Sequence, residues 1–169
     1  GVCLRARDLA SEYGITYLAP SFPIYQKGHY GGFIGRGWND LDEYCELVEA
    51  AADDGADFIK LMISGLMDFD HAGKLTEASM DPDDILTVID EAHDQGYAVM
   101  AHCNGAEAAL AAARAGVESI EHGAFLNKKA MHAMADAGTV WIPTLSPIAN
   151  LIGCGRFSDE ALKYDLRTA

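Results

Sequence analysis

Gly96-Tyr97-Ala98-Val99-Met100-Ala101-His102 and Gly116-Val117-Glu118-Ser119-Ile120-Glu121-His122 repeat one design 20 residues apart: a glycine, a short apolar-rich run, and a histidine six places on. Gly55-Ala56-Asp57-Phe58-Ile59-Lys60 follows the same plan with a lysine. In each case the glycine closes a stretch with helical periodicity, as glycine does at helix C-termini. Further out the plan recurs in Ile15-Thr16-Tyr17-Leu18-Ala19 after Gly14, and in Thr139-Val140-Trp141-Ile142-Pro143 after Gly138. These five runs are the predicted strands.

The segments between them read as helices. Leu41 to Asp53, Asp83 to Asp94, Ala106 to Ala115 and Lys128 to Ala137 carry apolar residues at helical spacing, for example Leu41, Cys45, Val48 and Ala52, or Ile85, Val88, Ile89 and Ala92. Asp81-Pro82 sets a capping residue before a first-turn proline, Asn127 caps the helix after it, and a last helix, Asp159 to Arg167, follows Ser158. Strand, helix, glycine, strand is the order of right-handed βαβ units and predicts a parallel sheet covered by helices. A barrel and a doubly wound sheet both satisfy it. No G-x-G-x-x-G follows the first strand, so a dinucleotide fold has no support, and the short units leave room for little beyond one strand and one helix. The expected fold is α/β, a partial (β/α)8 TIM-type barrel. Eight units need roughly 250 residues, so residues 1–169 hold about five, near strands 3 to 7 of a barrel, as one domain.

Composition narrows the partners. The chain has 26 acidic against 12 basic residues and a formal charge of −14, which repels nucleic acid and anionic membrane surfaces. No stretch is long and apolar enough to span a bilayer, and no signal peptide is recognisable. Cys3, Cys45, Cys103 and Cys154 form no C-x-x-C pair, which argues against a structural zinc site and fits reduced thiols in a cytoplasm.

In a barrel the chemistry gathers where strands end. Lys60, His102 and His122 stand at equivalent places on three runs, and imidazoles from different strands suit an open metal site. A lysine ammonium cannot bind a cation; a carbamate formed from its neutral amine and CO2 can, as an anionic two-oxygen bridge. His29, in Lys27-Gly28-His29-Tyr30-Gly31-Gly32, lies in the loop after the first strand and is either a substrate contact or part of a plain turn. His93 and His132 fall in amphipathic helices and read as exposed, and His71 beside Asp68 and Asp70 reads as a solvated acidic loop.

Gly55-Ala56-Asp57-Phe58-Ile59-Lys60, then Ala101-His102-Cys103-Asn104-Gly105, Ile120-Glu121-His122-Gly123 and Ile142-Pro143-Thr144-Leu145, in this order, resemble the amidohydrolase superfamily, most of all imidazolonepropionase-related proteins and metal-dependent Xaa-Pro dipeptidases. The resemblance covers about residues 10–150. It implies that Lys60 is a carboxylated lysine bridging metals on strand four, and that His102 and His122 are ligands on strands five and six. It implies one or two divalent metals, zinc by expectation, activating water as hydroxide against the C–N amide bond of a small carboxamide, cyclic amide or dipeptide. Cys103-Asn104 departs from relatives that carry histidine or tyrosine near the substrate, and this places Asn104 among the substrate contacts. The family's H-x-H pair and its proton-shuttling aspartate have no counterpart in these residues, so no catalytic acid or base is expected within the chain. Without them the chain alone is expected to be inactive and to self-associate, homo-oligomers included. The rival reading is a non-catalytic α/β module with structural histidines.

Overall fold

A computed structural model describes residues 2–168; Gly1 and Ala169, the ends of the expected domain, lie outside the described residues. The elements are Val2–Glu12 (α1), Pro23–Gln26 (β1), Arg36–Trp38 (β2), Leu41–Asp53 (α2), Ile59–Met62 (β3), Pro82–Asp94 (α3) and Val99–Cys103 (β4). Ala106–Arg114 (α4), Ser119–His122 (β5), Lys128–Ala137 (α5), Val140–Ile142 (β6), Leu145–Leu151 (α6) and Asp159–Thr168 (α7) follow. The strands form one parallel sheet in the order β2-β1-β3-β4-β5-β6.

Side chains alternate across a sheet, so its register sorts them into two faces. Ile24, Leu61, Ala101, Ile120 and Trp141 share one face. The first four have no exposed surface and pack in one core with Val48, Ile85, Val88, Ile89, Ala109, Ala112 and Met134 from α2 to α5. Alanines let α4 sit close to its neighbours: five of its nine residues are buried, and all five are alanine. Lys60, Met100 and Ser119 line the opposite face in register, and Met62, His102 and Glu121 continue it one layer higher.

Helix boundaries follow the capping chemistry. Asp81 accepts a hydrogen bond from the Asp83 amide with Pro82 in the first turn, and Asn127 accepts one from the Ala130 amide, as expected from sequence. Asp40 likewise caps α2 through the Glu43 amide.

The strands differ from expectation in three ways. Ile15–Ala19 joins no sheet among the described residues: Ile15 and Leu18 are exposed, and the Ala19 amide donates instead to the Asp57 carboxylate at 2.8 Å. The first strand is Pro23–Gln26, and a sixth, Arg36–Trp38, forms the edge beside it. The remaining strands begin one to three residues later than the glycine rule placed them, so Lys60 is the second residue of β3 rather than its end.

A second, smaller core lies on the loops that follow β3 and β5. Met67, Ala124, Ile148 and Leu162 bury one another with Phe69, Phe125 and Phe157 around them. Polar ties reinforce it: the Gly73 amide donates to Asp165 at 2.9 Å, and the Ser158 amide to Asp70 at 3.0 Å. Among the described residues no helix is long and apolar enough to cross a membrane, and all four cysteines are free.

Candidate metal centre

The inward face of β3, β4 and β5 brings together Lys60, His102 and His122. The two imidazole rings lie edge to face with centroids 4.8 Å apart. His102 is the fourth residue of β4 and is buried; His122 ends β5 with φ of 72°, a left-handed conformation uncommon outside glycine. Cys103 is its register partner, on the helix-covered side, and the left-handed turn is what frees His122 from that alternation.

Each histidine has one ring nitrogen engaged. His102 uses Nε2, which donates to the Gly65 carbonyl at 3.1 Å and leaves the lone pair of the neutral ring on Nδ1. His122 uses Nδ1, 2.6 Å from the Thr144 hydroxyl, and retains Nε2. Thr144 is itself left-handed, with φ of 46°, and the Trp141 indole donates to the His122 carbonyl at 3.0 Å. Two strained non-glycine residues joined by a short hydrogen bond mark a place where the backbone is held for the sake of side-chain position.

Burial keeps the imidazoles neutral and eases deprotonation of the lysine. Burial pushes His102 down to about 4, helped by the charge of neighbouring His122, and burial followed by the Lys60 charge lowers His122. Burial brings Lys60 down to about 8 against the opposing pull of Glu121 and Cys103. Lys60, half-buried, makes no ion pair or hydrogen bond among the described residues. Two neutral imidazoles suit a cation, and a lysine whose amine is within reach of deprotonation can be converted to a ligand beside them. Alone they are short of a full shell: no three His, Cys, Asp or Glu side chains among the described residues gather for that purpose.

Asn104 is buried, and both ends of its amide are engaged. Its Nδ2 donates to the Gly65 carbonyl at 3.0 Å and its Oδ1 accepts from the Ala124 amide at 3.0 Å. With the Asn104 amide donating to the Ser64 hydroxyl, it locks together the ends of β3, β4 and β5. A residue so committed holds the site's walls. His29 is half-buried in the turn after β1, its amide donating to the Gln26 carbonyl at 3.0 Å. It is Tyr30, beside it, that meets the site, its ring centroid 4.9 Å from that of His102. His93, expected exposed, is half-buried with Nε2 3.3 Å from Glu118, and His71 pairs with Asp68 within its own loop. Nothing local in the sequence marks Tyr30, Glu121 or Thr144: sheet register places Glu121, and contacts with His102 and His122 place Tyr30 and Thr144.

No family model matches the chain. Ochratoxinase of Aspergillus niger is 32% identical over 146 residues, which is 86% of this chain and 28% of that enzyme. A solved Xaa-Pro dipeptidase with bound methionine in its active site matches 99% of the chain at 26% identity and a TM-score of 0.72. A solved amidohydrolase matches 81% at 26% identity and a TM-score of 0.63. The chain is a member of the amidohydrolase superfamily. The crystal structure of the ochratoxinase shares the fold over 99% of the chain, with a TM-score of 0.76, so the six strands are an arc of a TIM-type barrel. The chain spans 28% of the length of the ochratoxinase sequence and 46% of that of the solved dipeptidase.

Proposed function

We propose that this amidohydrolase chain supplies Lys60, His102 and His122 to the metal centre of an enzyme that hydrolyses a C–N amide bond, the remaining ligands and the proton-shuttling aspartate being absent from these 169 residues. The observation that carries the proposal is the histidine pair: adjacent rings, opposite nitrogens engaged, and both rings kept neutral. Metal-binding histidines characteristically use their second nitrogen in this way, which fixes tautomer and aim.

When bound, a divalent cation such as zinc polarises an amide carbonyl and makes water a nucleophile at neutral pH. The chain's own residues prepare for it. At a pKa of about 8, roughly one Lys60 in ten is a neutral amine at pH 7, far more than for a free lysine. The neutral nitrogen can add to CO2, forming an N–C bond and releasing a proton, and the resulting carbamate would replace a repelled cation by an anionic ligand. The Asn104 lock keeps β3, β4 and β5 at fixed spacing, and Tyr30 covers one side of His102 against water. The substrate class is a small carboxamide, cyclic amide or dipeptide; the relatives named ochratoxinase and Xaa-Pro dipeptidase are consistent with amide cleavage.

The test uses the longer protein that carries this chain: metal analysis, a carbamate assay on Lys60 with 13CO2, and turnover of small amides before and after chelation. Bound metal, labelled Lys60 and chelator-sensitive turnover are expected. A metal-free protein that turns over no amide after zinc is supplied would instead favour a module in which the histidines only tie loops, as His102 does through Gly65.

A further inference from the structure

The loop between β3 and α3 returns to the site after a hairpin-like excursion. Leu66 and Thr76 exchange hydrogen bonds, with the Thr76 amide donating to the Leu66 carbonyl at 2.8 Å and the Leu66 amide to the Thr76 hydroxyl at 3.0 Å. Met67 pairs with Leu75 in an antiparallel bridge. This pairing sets Glu77 directly across from Gly65, whose carbonyl receives both His102 and Asn104. The approach is so close that a Cβ on Gly65 would come within 2.7 Å of the Glu77 Cγ and 2.9 Å of its backbone nitrogen.

Among the described residues Glu77 Oε1 is buried without a hydrogen-bond partner. A buried carboxylate oxygen left so is costly, and such exceptions ask for a missing donor. The Tyr30 ring lies in the same neighbourhood: it stacks on His102, pairs with Phe33 at 5.4 Å between centroids, and feels the Glu77 charge. A carboxylate oxygen beside an aromatic wall is a combination that holds an alkylammonium, by charge-assisted hydrogen bonding and cation–π attraction.

We infer that Glu77, with Tyr30 beside it, binds a primary ammonium group of the substrate, so that the amides this enzyme favours carry a free amine rather than a blocked or cyclic nitrogen. This rests on the amide-hydrolase reading for the identity of the site but not for its test.

Binding is measured by titration calorimetry in the longer, metal-loaded protein with two probes, L-methionine and N-acetyl-L-methionine. The wild type should prefer methionine, and Glu77→Gln should weaken methionine about tenfold or more, the usual scale for a lost charge-assisted contact, while leaving the acetylated probe unchanged or tighter. Unaltered metal content and thermal midpoint would show that the site is intact. Should Glu77→Gln fail to fold, Glu77→Asp, which keeps the charge and withdraws it by one methylene, should weaken methionine alone. Equal weakening of both probes, no weakening of either, or no preference in the wild type would each overturn the inference. Amide turnover is scored separately: its absence alongside a Glu77-dependent preference for methionine would remove the proposed reaction and leave the ammonium site standing.

Discussion

The two faces of the sheet solve opposite problems. On the outer face Ile24, Leu61, Ala101 and Ile120 are sealed under α2 to α5, every contact supplied by the chain itself. On the inner face Lys60, Met100 and Glu121 are half-buried, and Val140 and Ile142 are exposed. The outer face holds apolar groups that gain from leaving water. The inner face holds groups that lose by it, a desolvated lysine and two neutral imidazoles, and it tolerates that cost where chemistry can use them. Stability and function are thus separated by a single pleat, and substitutions on the two faces should report different quantities.

The largest effect expected is on the inner face. Lys60→Ala in the longer protein should lower amide turnover by more than the roughly 10–100-fold that follows loss of a group merely supporting a ligand, with metal content falling and small carboxylates partly restoring both. Unchanged turnover would remove Lys60 from the centre. On the outer face Ile120→Ala should cost about 2–5 kcal/mol in urea unfolding, because a fully buried side chain leaves a cavity among closely packed alanine helices. If Met100→Ala on the inner face costs as much, the functional separation of the faces is wrong.

The separation was partly legible in the sequence. The glycine-to-residue spacing found Lys60, His102 and His122, because successive parallel βαβ units, whatever their length, deliver their strand ends to one rim. Asp81-Pro82 and Asn127 marked helix starts because capping is local. Strand β1, Pro-Ile-Tyr-Gln, and β2, Arg-Gly-Trp, are too short and too irregular to show alternation, whereas Ile15–Ala19 resembles a strand and finds no partner. Tyr30, Thr144 and Glu77 reach the site through contacts that span 72, 22 and 12 residues to His102, His122 and Gly65, and no window of sequence contains them. The departure from the family pattern at Cys103-Asn104 suggested Asn104 as a substrate contact, and the three loops meeting around its amide show a structural role that the sequence did not mark.

The desolvated histidines, His102 buried and His122 half-buried, give the next largest effect. Their folded pKa values lie below the unfolded value of 6.5, so the stability they allow is present above that value and is lost as pH falls toward the folded pKa. Urea midpoints of the metal-free protein should therefore drop between about pH 6.5 and 4, with His102 accounting for up to about 3 kcal/mol. His102→Asn should flatten that part of the profile; an unchanged slope would mean the ring is not desolvated as described. Smaller again is the contribution of Thr144. Thr144→Ala should weaken metal binding about tenfold by releasing His122, and Thr144→Ser, which restores the hydroxyl, should recover most of it.

The smallest change in free energy is expected at the sheet's edge, where the comparison of faces becomes a question of what covers β6. Val140 is 57% exposed, and Trp141 and Ile142 beside it are exposed as well. The strand pairs on one side with β5, and among the described residues its backbone has no sheet neighbour on the other. Val140→Thr exchanges one methyl for a hydroxyl already in contact with water, so in the 169-residue polypeptide it should shift unfolding by no more than about 0.5 kcal/mol. Association should respond more than stability, since an open edge with apolar side chains recruits other chains, and sizing at increasing concentration should show fewer assemblies for the variant. In the longer protein the same substitution separates two cases. If further strands cover β6, the hydroxyl is buried without a partner and should cost about 1–3 kcal/mol. If the cost stays within about 0.5 kcal/mol there as well, β6 is a true edge, and the inner face is open to solvent along that side.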